Sequence, residues 1–322
     1  MTIFHTCYEP RHLIDINAKR IVPFPDLKHE IRVGTGGAMR MEIEATIRDA
    51  WYPVAVVEDL KEGVRYHTRL LGQDIEYGRD DEGSFFARRE GGDACRVQTC
   101  YHTHWVSLGE PAEAFFAVPE FSEPDRRILG AGSMRVHVSG LRAIENFLDM
   151  AHFPYVHTGY LGEEPHTDVA PYSVEFDRDT DEIYARECRF YQPRAASAST
   201  AGIDTDYIYR VASPFVAILY KTSPPQPTRR DVICLFVQPV EEDWCIAHTV
   251  LAYLDDISSD QDLRQFQQTI FGQDLMILSN HMPRTLPLGT RLEVPTRADA
   301  MSAAYRRWLL QKGISYGTYQ AH

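Results

Sequence analysis

Apolar and polar positions alternate in short blocks through much of the chain. WYPVAVV (51–57), RYHTRLLG (65–72), DIEYG (74–78) and SFFARR (84–89) have the period of strands and are separated by KEG, GQ and DDEG turn groups. CYHTHWVSLG at 100–109 predicts a further strand ending in a glycine turn, and the Pro-, Glu- and Gly-rich residues 110–135 predict a domain boundary near 120. YSVEFDR, EIYARECRFYQ, DYIYRVA, FVAILYKT, DVICLFVQPV and CIAHTVLAYL follow, with the lengths and hairpin spacing of an antiparallel sheet. Two helical periods then appear. The first runs from about Ser259 to Asn280, with Leu263, Phe266, Ile270, Phe271 and Ile277 on one stripe. The second starts near Thr296, where T-R-A-D has the form of a capping box, and buries Met301, Ala304, Tyr305 and Trp308. Strands followed by flanking helices predict an α+β fold.

Residues 1–45 show no sustained period and predict a poorly ordered N-terminal extension, with Met39 and Met41 standing just before the first clear pattern. The expected division is therefore 1–45, 46–120 and 121–322. At 322 residues, 44% hydrophobic and 25% charged, the chain has the composition of a soluble globular protein with a sizeable core. A formal charge of -13 argues against nucleic acid, whose phosphates require a concentrated basic face. No apolar run approaches a membrane span and no signal-peptide core is visible, so the expected location is cytoplasmic. Six cysteines form no C-x-x-C pair and read as reduced thiols.

One stretch carries chemistry out of proportion to its length. In ENFLDMAHFPYVH (145–157), Asn146, Asp149 and His152 follow at steps of three, which on a helix places them on adjoining turns. His157 comes after Pro154 and is expected just past a helix break. Far downstream, Asp274 falls on the apolar stripe between Ile270 and Ile277, where an ionised carboxylate is costly unless it is paired or bound to a metal. His152, His157 and Asp274 supply two imidazoles and one carboxylate, the donor set of non-haem Fe(II) oxygenases. Asp149 is placed to accept a ring N–H from one of the histidines. Each piece alone has a plainer reading: H-x4-H as two hydrogen-bonded histidines, and Asp274 as a carboxylate paired to an arginine. Zinc enzymes also use such donors, but no H-E-x-x-H supplies a general base, and Glu145 faces elsewhere on the helix. His102, His104, His137, His166, His248 and His281 read as surface or hydrogen-bonded histidines.

NFLDMAHFPYVH matches the N-x2-D-x2-H-x4-H motif of Rieske-type aromatic-ring and N-demethylating oxygenases, and the chain resembles that family over about residues 46–312. WYPVAVVEDLKEG and RLLGQDIEYGRDDEG look like the start of its Rieske domain, WVSLGEP its last strand, FGQDLMILSNHMPRTLPL its third-ligand helix, and YRRWL fits near the end. The resemblance implies a helix-grip-like catalytic domain behind a truncated Rieske-type β domain. It implies His152, His157 and Asp274 as ligands of a mononuclear Fe(II), Asn146 as a residue close to the iron, and Asp149 as the bridge to a neighbouring subunit's cluster in a trimer-based oligomer.

The sequence departs from that family where electrons arrive. A Rieske [2Fe-2S] centre needs C-x-H followed by C-x2-H. Here SFFARREGGDA runs almost directly into CRVQTCYHTHW; Cys100 and His102 form C-x-H, and the chain's C-x2-H, Cys245 to His248, lies far downstream on a strand whose alternation turns the two side chains apart. No [2Fe-2S] cluster is expected in this chain. Its electrons are expected from a Rieske-containing reductase or a ferredoxin, as in the cluster-less N-demethylase components that the chain resembles. The resemblance implies hydroxylation or N-demethylation of a small aromatic or heteroaromatic substrate such as a methylxanthine. The alternative is a non-catalytic subunit assembling with a complete oxygenase.

Overall fold

The computed structural model describes residues 43–111, 115–289 and 292–320. The expected extension lies outside the described residues up to position 42. A single turn, α1 (Ala45–Arg48), precedes β1 (Tyr52–Val56), β2 (Arg65–Leu70), β3 (Gln73–Arg79), β4 (Phe85–Arg89), β5 (Arg96–Cys100) and β6 (Thr103–Ser107). These form two small antiparallel sheets, ordered β1-β6-β5 and β2-β3-β4. The single strand expected at 100–109 is instead the end of one strand, a turn and a second strand. Tyr101 and His102 both take left-handed backbone, with φ of 50° and 58°, and reverse the chain between β5 and β6.

The larger unit is a seven-stranded antiparallel sheet. Its strands are β7 (Arg127–Val136), β8 (Ser173–Asp177), β9 (Glu182–Gln192), β10 (Ile203–Ser213), β11 (Val216–Thr222), β12 (Arg230–Glu241) and β13 (Trp244–Tyr253), ordered β7-β13-β12-β11-β10-β9-β8. Six of the seven match the alternating runs in the sequence. β7 was hidden within the segment expected to be a boundary, because Gly130 and Gly132 interrupt its pattern. Gly132 has φ +117° where the ladder with β13 shifts register, and a Cβ there would stand 2.9 Å from the Gln268 amide of a helix packed above it.

Between β7 and β8 lie α2 (Gly140–Leu148) and the short α3 (Phe153–Val156); α4 (Asp260–Leu278) and α5 (Ala300–Gln311) follow the sheet. α4 begins with a complete capping box: Ser259 Oγ accepts the Asp262 N–H, and the Asp262 carboxylate accepts the Ser259 N–H. Thr296 and Asp299 form the same reciprocal pair at the turn leading into α5. α4 crosses β7, where Arg264 and Gln268 donate to the carbonyls of Gly130 and Ala131, each at 2.9 Å. The small sheets pack on the opposite side of the large one: Trp105 meets Phe236 edge-on at 4.8 Å, and the Gln238 amide donates to Thr68 and Arg69, each at 2.8 Å. Among the described residues no helix is long and apolar enough to cross a membrane. Helices segregated onto one face of antiparallel strands make this an α+β fold.

Candidate metal centre

α2 starts at Ser139, whose hydroxyl accepts the Arg142 N–H, and stops at Leu148. The sequence suggested one helix carrying Asn146, Asp149 and His152 with a break at Pro154; the structure puts the break earlier. Asp149 is extended, and its carboxylate accepts the N–H groups of Ala151 and His152 at 2.8 and 3.2 Å, turning the chain. Pro154 sits in the first turn of α3, where its missing N–H has no intrahelical partner to lose. His152 and His157 therefore flank one short helix, which brings their rings to 4.9 Å between centroids.

Asp274 comes from the buried stripe of α4, formed by Leu263, Phe266, Gln267, Ile270, Phe271, Asp274 and Leu278. Leu278, not the half-buried Ile277, completes the stripe. His152 Nε2, His157 Nε2 and Asp274 Oδ1 converge: the nitrogens lie 3.1 Å apart, and the oxygen lies 3.3 and 3.1 Å from them. Among the described residues this is the one group of three or more His, Cys, Asp or Glu arranged to hold a metal ion.

Three further hydrogen bonds orient the triangle. His152 Nδ1 donates to Asp149 Oδ2 at 2.8 Å, and His157 Nδ1 donates to Gln273 Oε1 at 2.9 Å. Asn146 Nδ2 donates to Asp274 Oδ1 at 3.0 Å. With each Nδ1 carrying its proton, a neutral ring presents an Nε2 lone pair. Two such lone pairs and a carboxylate oxygen at these separations repel unless positive charge lies among them. A proton satisfies one contact; a metal ion satisfies all three. Donors bound to one ion at about 2.1 Å and about 90° apart lie about 3 Å from each other, so the triangle fits a divalent cation.

The electrostatics carry the same demand. Burial would raise the Asp274 carboxyl, but hydrogen bonds and charge from His152 and His157 hold it at about 2. Burial would lower His152, yet Asp149 and Asp274 lift it to about 9. Burial opposes ionisation of Asp149 too, and the His152 ring with two backbone N–H groups more than compensates, leaving it below the usual carboxylate value.

The sequence did not single out Gln273. It is adjacent to Asp274 in the chain and has no periodic signature, so only the fold reveals that it holds His157. Four of the other described histidines have local partners. His104 pairs with Thr99 at 2.7 Å, His248 with Ser133 at 2.8 Å and His137 with Asp243 at 3.2 Å, while His102 contacts Glu58. Cys100 ends β5, whereas Cys245 and His248 lie three apart on β13 and face opposite sides. Glu145 turns to Arg306, at 2.5 and 2.9 Å.

Two cavities meet the cluster. A groove of about 930 Å³ runs past Asp149 and Asn146 between α2, α4 and α5. A narrower cavity of about 60 Å³ lies between the cluster and the sheet, walled by Phe147, Phe153, Tyr207, Tyr209 and Phe271. The narrower contains all three converging side chains.

Comparison with known proteins gives this geometry its setting. The family described as vanillate O-demethylase oxygenase C-terminal domain matches residues 136–313. A probable methylxanthine N7-demethylase, NdmC, of Pseudomonas sp. (strain TJI-51) is 51% identical over 270 residues, covering 84% of this chain and 96% of that protein. The methylxanthine N3-demethylase NdmB of Pseudomonas putida is 23% identical over 227 residues, 69% of this chain and 60% of NdmB. Among solved structures, Pseudomonas putida CBB5 NdmA superposes with TM-score 0.65 at 17% identity, over 82% of this chain and 90% of that one. Dicamba monooxygenase bound to dicamba does so with TM-score 0.63 at 16% identity, over 83% and 98%; both likenesses speak to the fold. The chain belongs to the vanillate O-demethylase oxygenase family and is an oxidoreductase of that class.

Proposed function

We propose that this chain is the iron-bearing oxygenase component of an N-demethylase acting on a methylxanthine, with electrons delivered by a separate Rieske-containing reductase or ferredoxin. The observation that carries the reading is the converging triangle of His152 Nε2, His157 Nε2 and Asp274 Oδ1, each donor held by its own hydrogen bond. Identity of 51% to a probable methylxanthine N7-demethylase supports the substrate class. The division into a remnant Rieske-type domain at 46–120 and a catalytic domain at 121–322 belongs to the same proposal; the small sheets within 52–107 and the large one within 127–253 support it.

In this reading His152, His157 and Asp274 hold Fe(II), which supplies the site for reductive activation of dioxygen. The overall change balances as N–CH₃ + O₂ + 2 e⁻ + 2 H⁺ → N–H + HCHO + H₂O, through an N-hydroxymethyl compound that releases formaldehyde. The chain's residues set the conditions. Gln273 and Asp149 fix both ring tautomers so that each Nε2 lone pair faces inward. Asn146 holds the Asp274 oxygen and keeps the carboxylate from rotating away. The aromatic walls exclude water and present a flat apolar slot to a planar ring. Asp149 also lines the outer groove, so one carboxylate touches both the cluster's imidazole and the surface available to an electron donor, consistent with assembly into an oligomer.

The test is turnover. Anaerobically purified protein, reconstituted with Fe(II) and given dioxygen, NADH, a Rieske-containing reductase and a 7-methylxanthine, is expected to release formaldehyde. The Asp274→Ala variant is expected to release none above background. Equal formaldehyde from the variant would overturn the reading, as would full activity of a co-purified oxygenase after loss of both histidines.

A further inference from the structure

The sheet side of the inner cavity holds polar groups that the cluster does not use. Gln192 ends β9 with a fully buried side chain, 0% exposed, and lines the cavity. Neither its Oε1 nor its Nε2 has a hydrogen-bond partner among the described residues. The buried hydroxyls of Tyr207 and Tyr209 line the same cavity and also lack partners there. Lys221, opposite Tyr207 in the β10–β11 ladder, lines it too, and its ammonium donates to the Ala195 carbonyl three residues beyond Gln192. A buried amide with both ends unmet penalises the folded chain until something pairs with it. Phe153, Phe271 and the three converging side chains line the same cavity, so a substrate bound beside the cluster would reach this amide.

The amide dictates what that substrate must offer. A carboxamide presents an acceptor and a donor side by side, so its complement is a donor beside an acceptor on one edge of a flat ring. A lactam or imide, –NH–C(=O)–, has that edge; a fully N-alkylated ring has only the carbonyl. We infer that Gln192 is a specificity-determining residue that pairs with the lactam edge of a planar heterocycle and, with Lys221 donating to a ring carbonyl, fixes the orientation of the substrate in the chamber. This rests on the proposed N-demethylase reading and deepens it, because it selects among methylxanthines by their free ring N–H.

Theobromine keeps one ring N–H between two carbonyls; caffeine carries methyl there. Calorimetric titration of the anaerobic, iron-loaded enzyme with each, without reductant, separates the possibilities. The wild type is expected to bind theobromine at least about tenfold more tightly than caffeine, since a polar site rejects the analogue that leaves it unpaired. In Gln192→Leu that preference is expected to fall to within about threefold, through loss of theobromine affinity by about 10- to 100-fold with caffeine little changed. Gln192→Met, close in size, removes both the donor and the acceptor and is expected to weaken theobromine selectively; if the leucine variant binds neither ligand, this one decides. A wild type that binds both equally, or a preference that survives in Gln192→Met and Gln192→Leu, overturns the role of Gln192 and leaves the N-demethylase reading standing. A wild type that binds neither overturns this inference, and one that also fails to bind 7-methylxanthine overturns the methylxanthine reading with it.

Discussion

Replacing Gln273 by leucine removes the acceptor for His157 Nδ1 and nothing that touches the metal position directly. In the folded protein the His157 ring is 1% exposed, and its Nδ1 donates to Gln273 Oε1 at 2.9 Å. After the substitution the ring has two choices. It keeps the Nδ1 proton and buries an unmet N–H, at about 1–3 kcal/mol. Otherwise the proton moves to Nε2, which removes the lone pair aimed at Asp274 and His152. Either way the ferrous state of the site is weakened; at about 1.4 kcal/mol per tenfold, the loss is about 10- to 100-fold in metal affinity. Gln273→Glu keeps an acceptor in the same place and is expected to bind iron at least as well as the wild type. The assay is anaerobic competition for Fe(II) between the protein and a chromophoric chelator of known affinity. Wild-type affinity in Gln273→Leu, to within about threefold, would refute the argument that Gln273 fixes the ring.

Two further outcomes follow from buried charges away from the cluster. Arg210 and Glu182 form a two-pronged pair at 2.6 and 2.7 Å, with side chains 3% and 5% exposed, and Glu182 also accepts the Tyr184 hydroxyl. Glu182→Gln strands the Arg210 charge and is expected to destabilise the fold by about 3–5 kcal/mol in denaturant unfolding, unless the midpoint is unmoved and the pair is dispensable. His248 is fully buried, and burial lowers its imidazole from 6.5 to about 4. The unfolded chain therefore takes up that proton first as pH falls, so the stability held by neutral His248 is complete above about 6.5 and drains away between there and about 4. Unfolding curves across that window should show a steeper loss in the wild type than in His248→Gln, and identical slopes would contradict the assignment.

Much of the fold was legible because burial on one face writes its period into the chain. Six strands of the large sheet carry that alternation, and both long helices announce their starts with Ser259/Asp262 and Thr296/Asp299. Asp274 was legible for the opposite reason: a carboxylate among Ile270, Phe271 and Leu278 violates the pattern around it. β7 was not, since Gly130 and Gly132 serve close approach of α4 and carry no hydrophobic signal. The turn at Asp149 was missed because a step of three between polar residues fits a helix equally well; what ends α2 is the Asp149 carboxylate capturing the N–H groups of Ala151 and His152. Gln273 and Gln192 act through partners remote in sequence, His157 and the cavity, and no local rule distinguishes them from any other glutamine.

We propose that His152, His157 and Asp274 grip one iron ion in a chain that builds no iron–sulfur cluster. Crystals of the Fe(II)-reconstituted protein, measured on both sides of the iron absorption edge, test it directly. One anomalous peak per chain is expected, within about 2.3 Å of His152 Nε2, His157 Nε2 and an Asp274 carboxylate oxygen. A paired iron peak beside Cys100 and His102, or a reconstituted protein with no peak among those three side chains, would contradict it.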